Sequence, residues 1–529
     1  MKLEYFQVAK SSDLPDGEMK QFTVDGTDIL LANVDKKIYA VGAFCTHYGA
    51  PLAKGALCGH HVICPWHHAW FDITNGDLLE PPALDALPNY EVQVKNDDIY
   101  VALPTKRDDR SLPAMSACNK EKDSRIFVII GGGAAGYAAA QTLREDGFVG
   151  KIIMITKEEQ FPYDRPNLSK DYIEGEIASE DLPLRQKDFF KAHGIEVMNN
   201  KTVKNVDHQN KKINFDTGET LNYDTALIAT GGIPRQMDVP GAALDNVFVL
   251  RSLDSANNLV ATVKDVKKIV IIGSSFIGME AAASLQSRGV QVTVVAPDDV
   301  PFAKTLGSEI GKFFKSLHEE HGVTFKLKNK VKAFKGDSKV ISVVLESGAE
   351  LETDAVLVGI GVTPATKILQ DIDLQKDGGV PTDSYLKIAE DLFAAGDIAA
   401  IPNPHTQELV RIEHWRYALQ QGRLAAQNMI GQNIKFTGVP FFWTAHFGVS
   451  LRYLGHVKDW DDLIIDGDVK NKKFLAFYIK DDQIKAVSGI GRDKEMAHLE
   501  QFFKDDKMPS ATTLKEQGVK TAFGEILKD

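Results

Sequence analysis

Two pairs of metal-ligating side chains, Cys45-Thr-His47 and Cys64-Pro-Trp-His67, are separated by sixteen residues near the N-terminus. Gly49, Pro51, Gly55 and Pro65 surround them, which places two thiolates and two imidazoles on tight, facing loops. Such a set can hold a [2Fe–2S] cluster, with both sulfurs on one iron and both nitrogens on the other. A structural zinc ion of the Cys₂His₂ kind uses overlapping spacings and is the alternative. The Cys–His order repeats in both pairs within a strand-rich stretch, which favours the cluster.

A cluster ligated in this way is of Rieske type. High-potential Rieske proteins add a disulfide between the ligand loops and hydroxyl donors to the sulfurs. Here Ala50 and Trp66 stand for those cysteines, and Ala69 and Phe71 for the hydroxyls. Fewer donors leave the reduced cluster less stabilised, so the sequence predicts a potential at the low end, on the order of −150 mV. His60, His61 and His68 read as surface or loop residues, with His68 directed away from the cluster.

A second kind of chemistry begins at Arg125-Ile-Phe-Val-Ile-Ile, a buried strand followed by Gly131-Gly-Gly133-Ala134-Ala-Gly136 and a helix rich in small residues. Gly131 permits the tight turn, Gly133 lets a pyrophosphate approach the backbone, and Gly136 lets helix and strand pack closely. The next strand ends near Glu158, about twenty residues on, where a carboxylate accepts from a ribose hydroxyl. The pattern recurs at Gly273-Ser-Ser275-Phe276-Ile277-Gly278, with Ser275 at the second glycine position. There the following strand ends in Ala296-Pro-Asp298, without the usual terminal acid and without an arginine for a 2′-phosphate. Asp298 leans the choice towards NADH, with NADPH possible and a Rossmann unit that binds nothing as the alternative.

The elements that position these groups fall into several domains, as 529 residues require. Alternating strands fill 1–104, a charged, proline-punctuated linker follows at 105–124, and strand–glycine turn–helix units come after it. Hydrophobic residues make up 43% and charged residues 25% of the chain, an ordinary globular balance. A net charge of −12 speaks against a nucleic-acid footprint. Four cysteines, of which Cys58 and Cys118 are unassigned, form no disulfide framework and indicate a reducing compartment. No apolar run is long enough for a membrane span, and the N-terminus reads as neither secretion signal nor transit peptide. The expected location is cytoplasmic, with mitochondrial association left open.

From Arg125 to Gly431 the chain resembles the pyridine nucleotide–disulfide oxidoreductase superfamily. The motifs that carry the resemblance are GGGAAG, Tyr223-Asp-Thr-Ala-Leu-Ile-Ala-Thr230-Gly231 and Leu392-Phe-Ala-Ala-Gly396-Asp397, in family order. No cysteine follows Cys118, which excludes the disulfide-reducing branch. Pro162-Tyr-Asp-Arg165-Pro-Asn-Leu-Ser-Lys170 instead resembles the ferredoxin-reductase and apoptosis-inducing-factor branch. The resemblance implies FAD bound by Gly131, Gly133, Ala134, Gly136, Glu158, Arg165, Lys170, Val203, Thr230, Gly231 and Asp397, with Trp415 and Trp443 walling the flavin pocket. It implies a nicotinamide dinucleotide at Gly273, Ser275, Phe276, Ile277, Gly278 and Gly361, and a Lys170–Glu280 pair beside the reactive edge of the flavin. The implied layout is an all-β Rieske domain (1–104), two α/β Rossmann-like domains and an α+β C-terminal domain (439–529). The FAD domain would be split into 125–253 and 378–438 around a nicotinamide domain at 254–377.

The function expected is an NAD(P)H oxidoreductase that passes a hydride to FAD, then single electrons to the cluster. From an exposed histidine edge (His47, His67) they would go to an unidentified acceptor protein or small molecule. The alternative is a redox-controlled signalling protein in which flavin and nucleotide act as a switch. A Rieske oxygenase fails for want of a 2-His-1-carboxylate site, since His318 and His321 lie too close on one helical face. Monomer and homodimer are equally compatible with the sequence.

Overall fold

The computed structural model describes residues 3–403 and 407–524. The N-terminal unit is built from small antiparallel sheets, because its apolar residues alternate and its turns are short. One sheet runs Met19–Val24, Thr27–Val34, Lys37–Gly42 and Asn89–Tyr90. A smaller one runs Ala56–Cys58, His61–Ile63, Trp70–Asp72 and Leu78–Glu80. The first ligand loop leaves the strand Lys37–Gly42, and the second joins His61–Ile63 to Trp70–Asp72.

Two parallel sheets follow. The first has the order Ile195–Met198, Lys151–Ile155, Ile126–Ile130, Thr225–Ile228, Leu392–Ala394, with Lys387–Ala389 antiparallel at the edge. The second has the order Val247–Val249, Ala355–Val358, Lys268–Ile272, Gln291–Val295, Thr324–Lys326, all parallel. Their strands are almost wholly apolar, as sheets covered on both faces must be. Each unit also carries a three-stranded antiparallel meander, beginning at Val203–Asp207 in one and Val331–Lys335 in the other. Helix Trp415–Met429 returns to the first unit and lies against helix Ala134–Glu145. A Cβ at Gly422 would sit 2.2 Å from the Ala135 carbonyl oxygen, so only glycine allows that approach.

The C-terminal unit is a five-stranded antiparallel sheet, in the order Phe441–His446, Val449–Gly455, Gln483–Ile490, Lys473–Lys480, Asp462–Asp468, backed by helix Asp493–Lys504. Residues 105–125 form no helix or strand, yet they are pinned along the surface by bonds such as Ser111 N to Ala86 O at 2.9 Å and Ser116 N to Arg144 O at 2.8 Å. Among the described residues no helix is long and apolar enough to cross a membrane.

Candidate functional site

The two ligand loops share one hydrogen-bond pattern. Cys45 N donates to Ala50 O and Cys64 N to Ala69 O, both at 2.9 Å, while Gly49 N and His68 N donate back to Cys45 O and Cys64 O. Gly49 and His68 are therefore equivalent positions, and both have left-handed backbones with φ of 74° and 56°. These repeats bring His47 Nδ1 and His67 Nδ1 to 3.1 Å from each other. That is a chord one metal ion can span at about 2.0–2.1 Å per bond. Hydrogen-bond contact with Cys64, ahead of burial, pushes the Cys45 thiol well up, as expected for two sulfurs held face to face. Burial holds His47 down at about 3 and His67 well below the usual imidazole range, so both rings are in the neutral, ligating form.

Cys45 and Cys64 contact each other, as do His47 and His67. That sulfur–sulfur and nitrogen–nitrogen pairing is the one a two-iron core of Rieske type uses.

The histidine edge is half-buried: one side of it lies against the C-terminal unit, while Tyr48 and Trp66 beside it remain 39% and 37% exposed. The Trp443 ring lies 4.2 Å from that of His67 and 6.2 Å from that of His47, between centroids. Tyr48 stacks on His47 at 3.8 Å and donates its hydroxyl to Asp164, whose carboxyl is pushed up by burial to about 6. One side of the edge thus meets the flavoprotein portion. His68 departs from expectation: it is fully buried, and its Nδ1 meets Glu500 Oε2 at 2.7 Å. The other Glu500 oxygen meets Arg416 at 2.8 Å, and Arg416 Nε donates to Pro81 O at 2.7 Å. One buried triad therefore ties together the Rieske loops, the helix Trp415–Met429 and the C-terminal unit. Arg185 reinforces it, pairing with buried Asp85 through Nη1 at 3.0 Å.

A long cleft crosses the first α/β unit. Its larger part, about 530 Å³, is lined by Gly131, Gly133, Glu158, Arg165, Val203 and Thr230, among others. It shares Gly133, Arg165 and Gly231 with a second part that reaches Ala134, Asp397, Trp415 and Ile277. Together the two parts join Glu158 and Val203 to Asp397 and Trp415 in one cleft. A Cβ at Gly133 would come no nearer than 3.9 Å to any atom, so the absence of a side chain there serves what enters the cleft. Gly136 instead serves packing, since its Cβ would lie 1.9 Å from Gly131 O. Glu158 is fixed by the Tyr163 hydroxyl at 2.6 Å and Arg165 at 2.7 Å; burial raises its pKa, but these partners hold it below the usual carboxylate range. Asp397 pairs with Arg251 at 2.7 Å, a cleft residue that no local motif announces.

Beside the cleft, Lys170 Nζ meets Glu280 Oε2 at 2.8 Å across the two α/β units. Ser169 Oγ donates to the same oxygen at 2.5 Å, and Thr444 Oγ1 donates to Oε1 at 2.7 Å. Thr444 in turn contacts His446 Nε2 at 2.8 Å, and His446 Nδ1 lies 3.3 Å from His318 Nε2. No periodicity along the chain signals this buried line. In the second unit, Gly273, Phe276 and Gly278 stand at the turn into helix Phe276–Ser287, and Ser275 Oγ folds back on Gly359 O at 3.3 Å. Gly361 has a left-handed φ of 94° beyond the strand Ala355–Val358. Trp443, expected in the flavin wall, lies against the ligand histidines, one residue from Thr444.

Such a cleft, with a sulfur–nitrogen ligand set docked beside it, defines an FAD-dependent NAD(P)H oxidoreductase that also carries a Rieske [2Fe–2S] cluster. The pyridine nucleotide-disulphide oxidoreductase family matches residues 126–422, more than half of the chain, and the chain belongs to that family. The Rieske [2Fe-2S] domain matches 4–91 and the reductase C-terminal domain 441–522. The chain is 37% identical to human apoptosis-inducing factor 3 over 497 residues, covering 92% of this chain and 82% of that protein. It is 34% identical to rhodocoxin reductase of Rhodococcus erythropolis, covering 70% of this chain and 87% of that protein. Among solved structures, a ferredoxin reductase from Rhodopseudomonas palustris superposes with a TM-score of 0.72 at 29% identity, covering 76% of this chain and 98% of the other. The covalent putidaredoxin reductase–putidaredoxin complex gives 0.71 at 27% identity, with 76% and 98% covered.

Proposed function

We propose that this chain is a complete internal relay, in which electrons from NADH enter at the cleft, pass to the Cys45/His47/Cys64/His67 site and leave singly to a separate acceptor. The observation that carries this reading is the inward docking of the ligand histidines against Trp443. When bound, FAD accepts a hydride and yields its electrons one at a time, and a [2Fe–2S] cluster carries one electron. The side chains set the conditions for that traffic. Lys170, oriented by Glu280 and by Pro166 O at 3.0 Å, presents a cation beside the cleft. Gly133, Ala134 and the N-terminus of helix Ala134–Glu145 receive a pyrophosphate, and Glu158 orders a ribose. Tyr48, Trp443 and Trp66 pack around His47 and His67 and hold the two rings in place.

The acceptor is a one-electron carrier, protein or small molecule, that meets the cluster transiently. Anaerobic stopped-flow mixing with NADH tests the reading. Rapid loss of flavin absorbance followed by loss of the oxidised cluster spectrum supports the relay. A persistent charge-transfer band with the cluster still oxidised would support the switch instead.

A further inference from the structure

The ligand loops themselves offer the cluster few donors, since Ala69 and Phe71 stand where hydroxyls would be. The structure places a cation there from elsewhere in the chain. Arg452 lies in strand Val449–Gly455, directly opposite Trp443 in the antiparallel ladder. Cross-strand partners project from the same sheet face, so the residue touching His67 and this arginine reach the cluster loops side by side. Arg452 Nε donates to the carbonyl of Trp66, between Cys64 and His67, at 3.2 Å. Its side chain is only 8% exposed, so its charge is held at the segment between Cys64 and His67 and away from bulk water. Its carboxylate partner, Asp493, lies 2.8 Å from Nη1 and is 33% exposed.

We propose that Arg452 is a redox-tuning residue, a buried cation lent by the C-terminal domain that raises the reduction potential of the cluster held by Cys45, His47, Cys64 and His67. On reduction the cluster gains one negative charge, and a fixed positive charge nearby stabilises that state more than the oxidised one. The guanidinium keeps its charge even when buried, so it does not escape by losing a proton. Asp493 offsets part of the effect, since the Oδ1 that meets Arg452 is itself buried; it is the arginine, however, that bonds to the ligand loop. The Trp66 carbonyl, bonded to Arg452, is further held so that the loop between Cys64 and His67 keeps one shape. The cluster thereby becomes a better acceptor for flavin electrons than its own loops would make it. The inference rests on the relay reading for its purpose, though its physical content does not.

The test is a dithionite titration of the purified full-length holoprotein, with the cluster followed by EPR. Arg452→Gln is expected to shift the midpoint to lower potential, Asp493→Asn to higher potential, and Arg452→Lys to stay near the parent. Opposite shifts from the two sides of one ion pair are the signature, and bound flavin content reports that each variant is folded. Midpoints unchanged in both variants, or moved in the same direction, overturn the proposal. Should Arg452→Gln fail to fold, Asp493→Asn decides alone, because it leaves the arginine and its bond to Trp66 in place. If NADH never reduces the cluster yet the opposite shifts are seen, the relay fails and the tuning stands; the reverse pattern sinks only the tuning.

Discussion

The two dinucleotide units of this chain share a backbone and differ in how firmly each is prepared. Gly131 and Gly273 have φ of 126° and 111°, and a Cβ on either would strike a carbonyl, of Ala229 at 2.1 Å or Gly359 at 2.2 Å. Past that turn they diverge. The first unit has Gly133 over an open floor and Glu158 locked by Tyr163 and Arg165. The second has Ser275, folded against Gly359, then Ala296 and an Asp298 that only reaches Lys304 at 3.7 Å. In the relay proposed above, the first unit suits a resident flavin and the second a nicotinamide donor that comes and goes.

The largest way to break this contrast is Gly136→Ala. Its Cβ would fall 1.9 Å from Gly131 O, against 2.5 Å for the matching Gly278→Ala, and overpacking of this kind costs about 3 kcal/mol or more. Gly136→Ala is expected to melt earlier and emerge without flavin colour, while Gly278→Ala stays yellow; equal flavin content in both would erase the asymmetry. Glu158→Gln comes next. Losing a charge-assisted bond of about 1.5–3 kcal/mol weakens FAD retention roughly 10–100-fold, read from flavin fluorescence released on dilution, whereas Asp298→Asn leaves flavin retention unchanged.

Two smaller changes sharpen the comparison. Asp298 holds the place in the second unit that Glu158 holds in the first, since Lys328 N donates to Asp298 O and Asn329 N to Ala296 O just as Asn200 N does to Glu158 O and Lys201 N to Thr156 O. Asp298→Asn is therefore expected to raise the Kd for NADH about 5-fold, or about 1 kcal/mol, and an unchanged Kd in an absorbance titration would contradict the assignment of that strand end. Ser275→Gly is the mildest. Since the hydroxyl already turns aside to Gly359, binding of NADH should change by less than about 0.5 kcal/mol, roughly two-fold.

Local patterns made much of this visible. The paired Cys–His spacing, both glycine turns and the DRPNLSK segment are short-range signals, and each depends on one turn or one helix start. Lys170 and Glu280, 110 positions apart, were paired through the family resemblance, and the structure brings them to 2.8 Å. What stayed hidden depends on docking between units. His68 reads as a loop residue because its partners, Glu500 and Arg416, lie more than 340 positions away. The inward turn of His47 and His67 is set by Trp443 and by Tyr48 with Asp164, and no periodicity encodes it. Arg251 and Arg452 lie in strand-flanking or strand positions whose alternation announces burial but not charge.

The buried His68–Glu500–Arg416 triad has a consequence for how this protein answers to its surroundings. Separate reductases and ferredoxins find each other through exposed charges, so their exchange slows as salt screens the attraction. Here the contact is covalently tethered and its charges are shut away from ions. The internal hop is therefore expected to run at one rate from dilute buffer to molar salt and at any protein concentration, leaving only the final delivery sensitive to the medium.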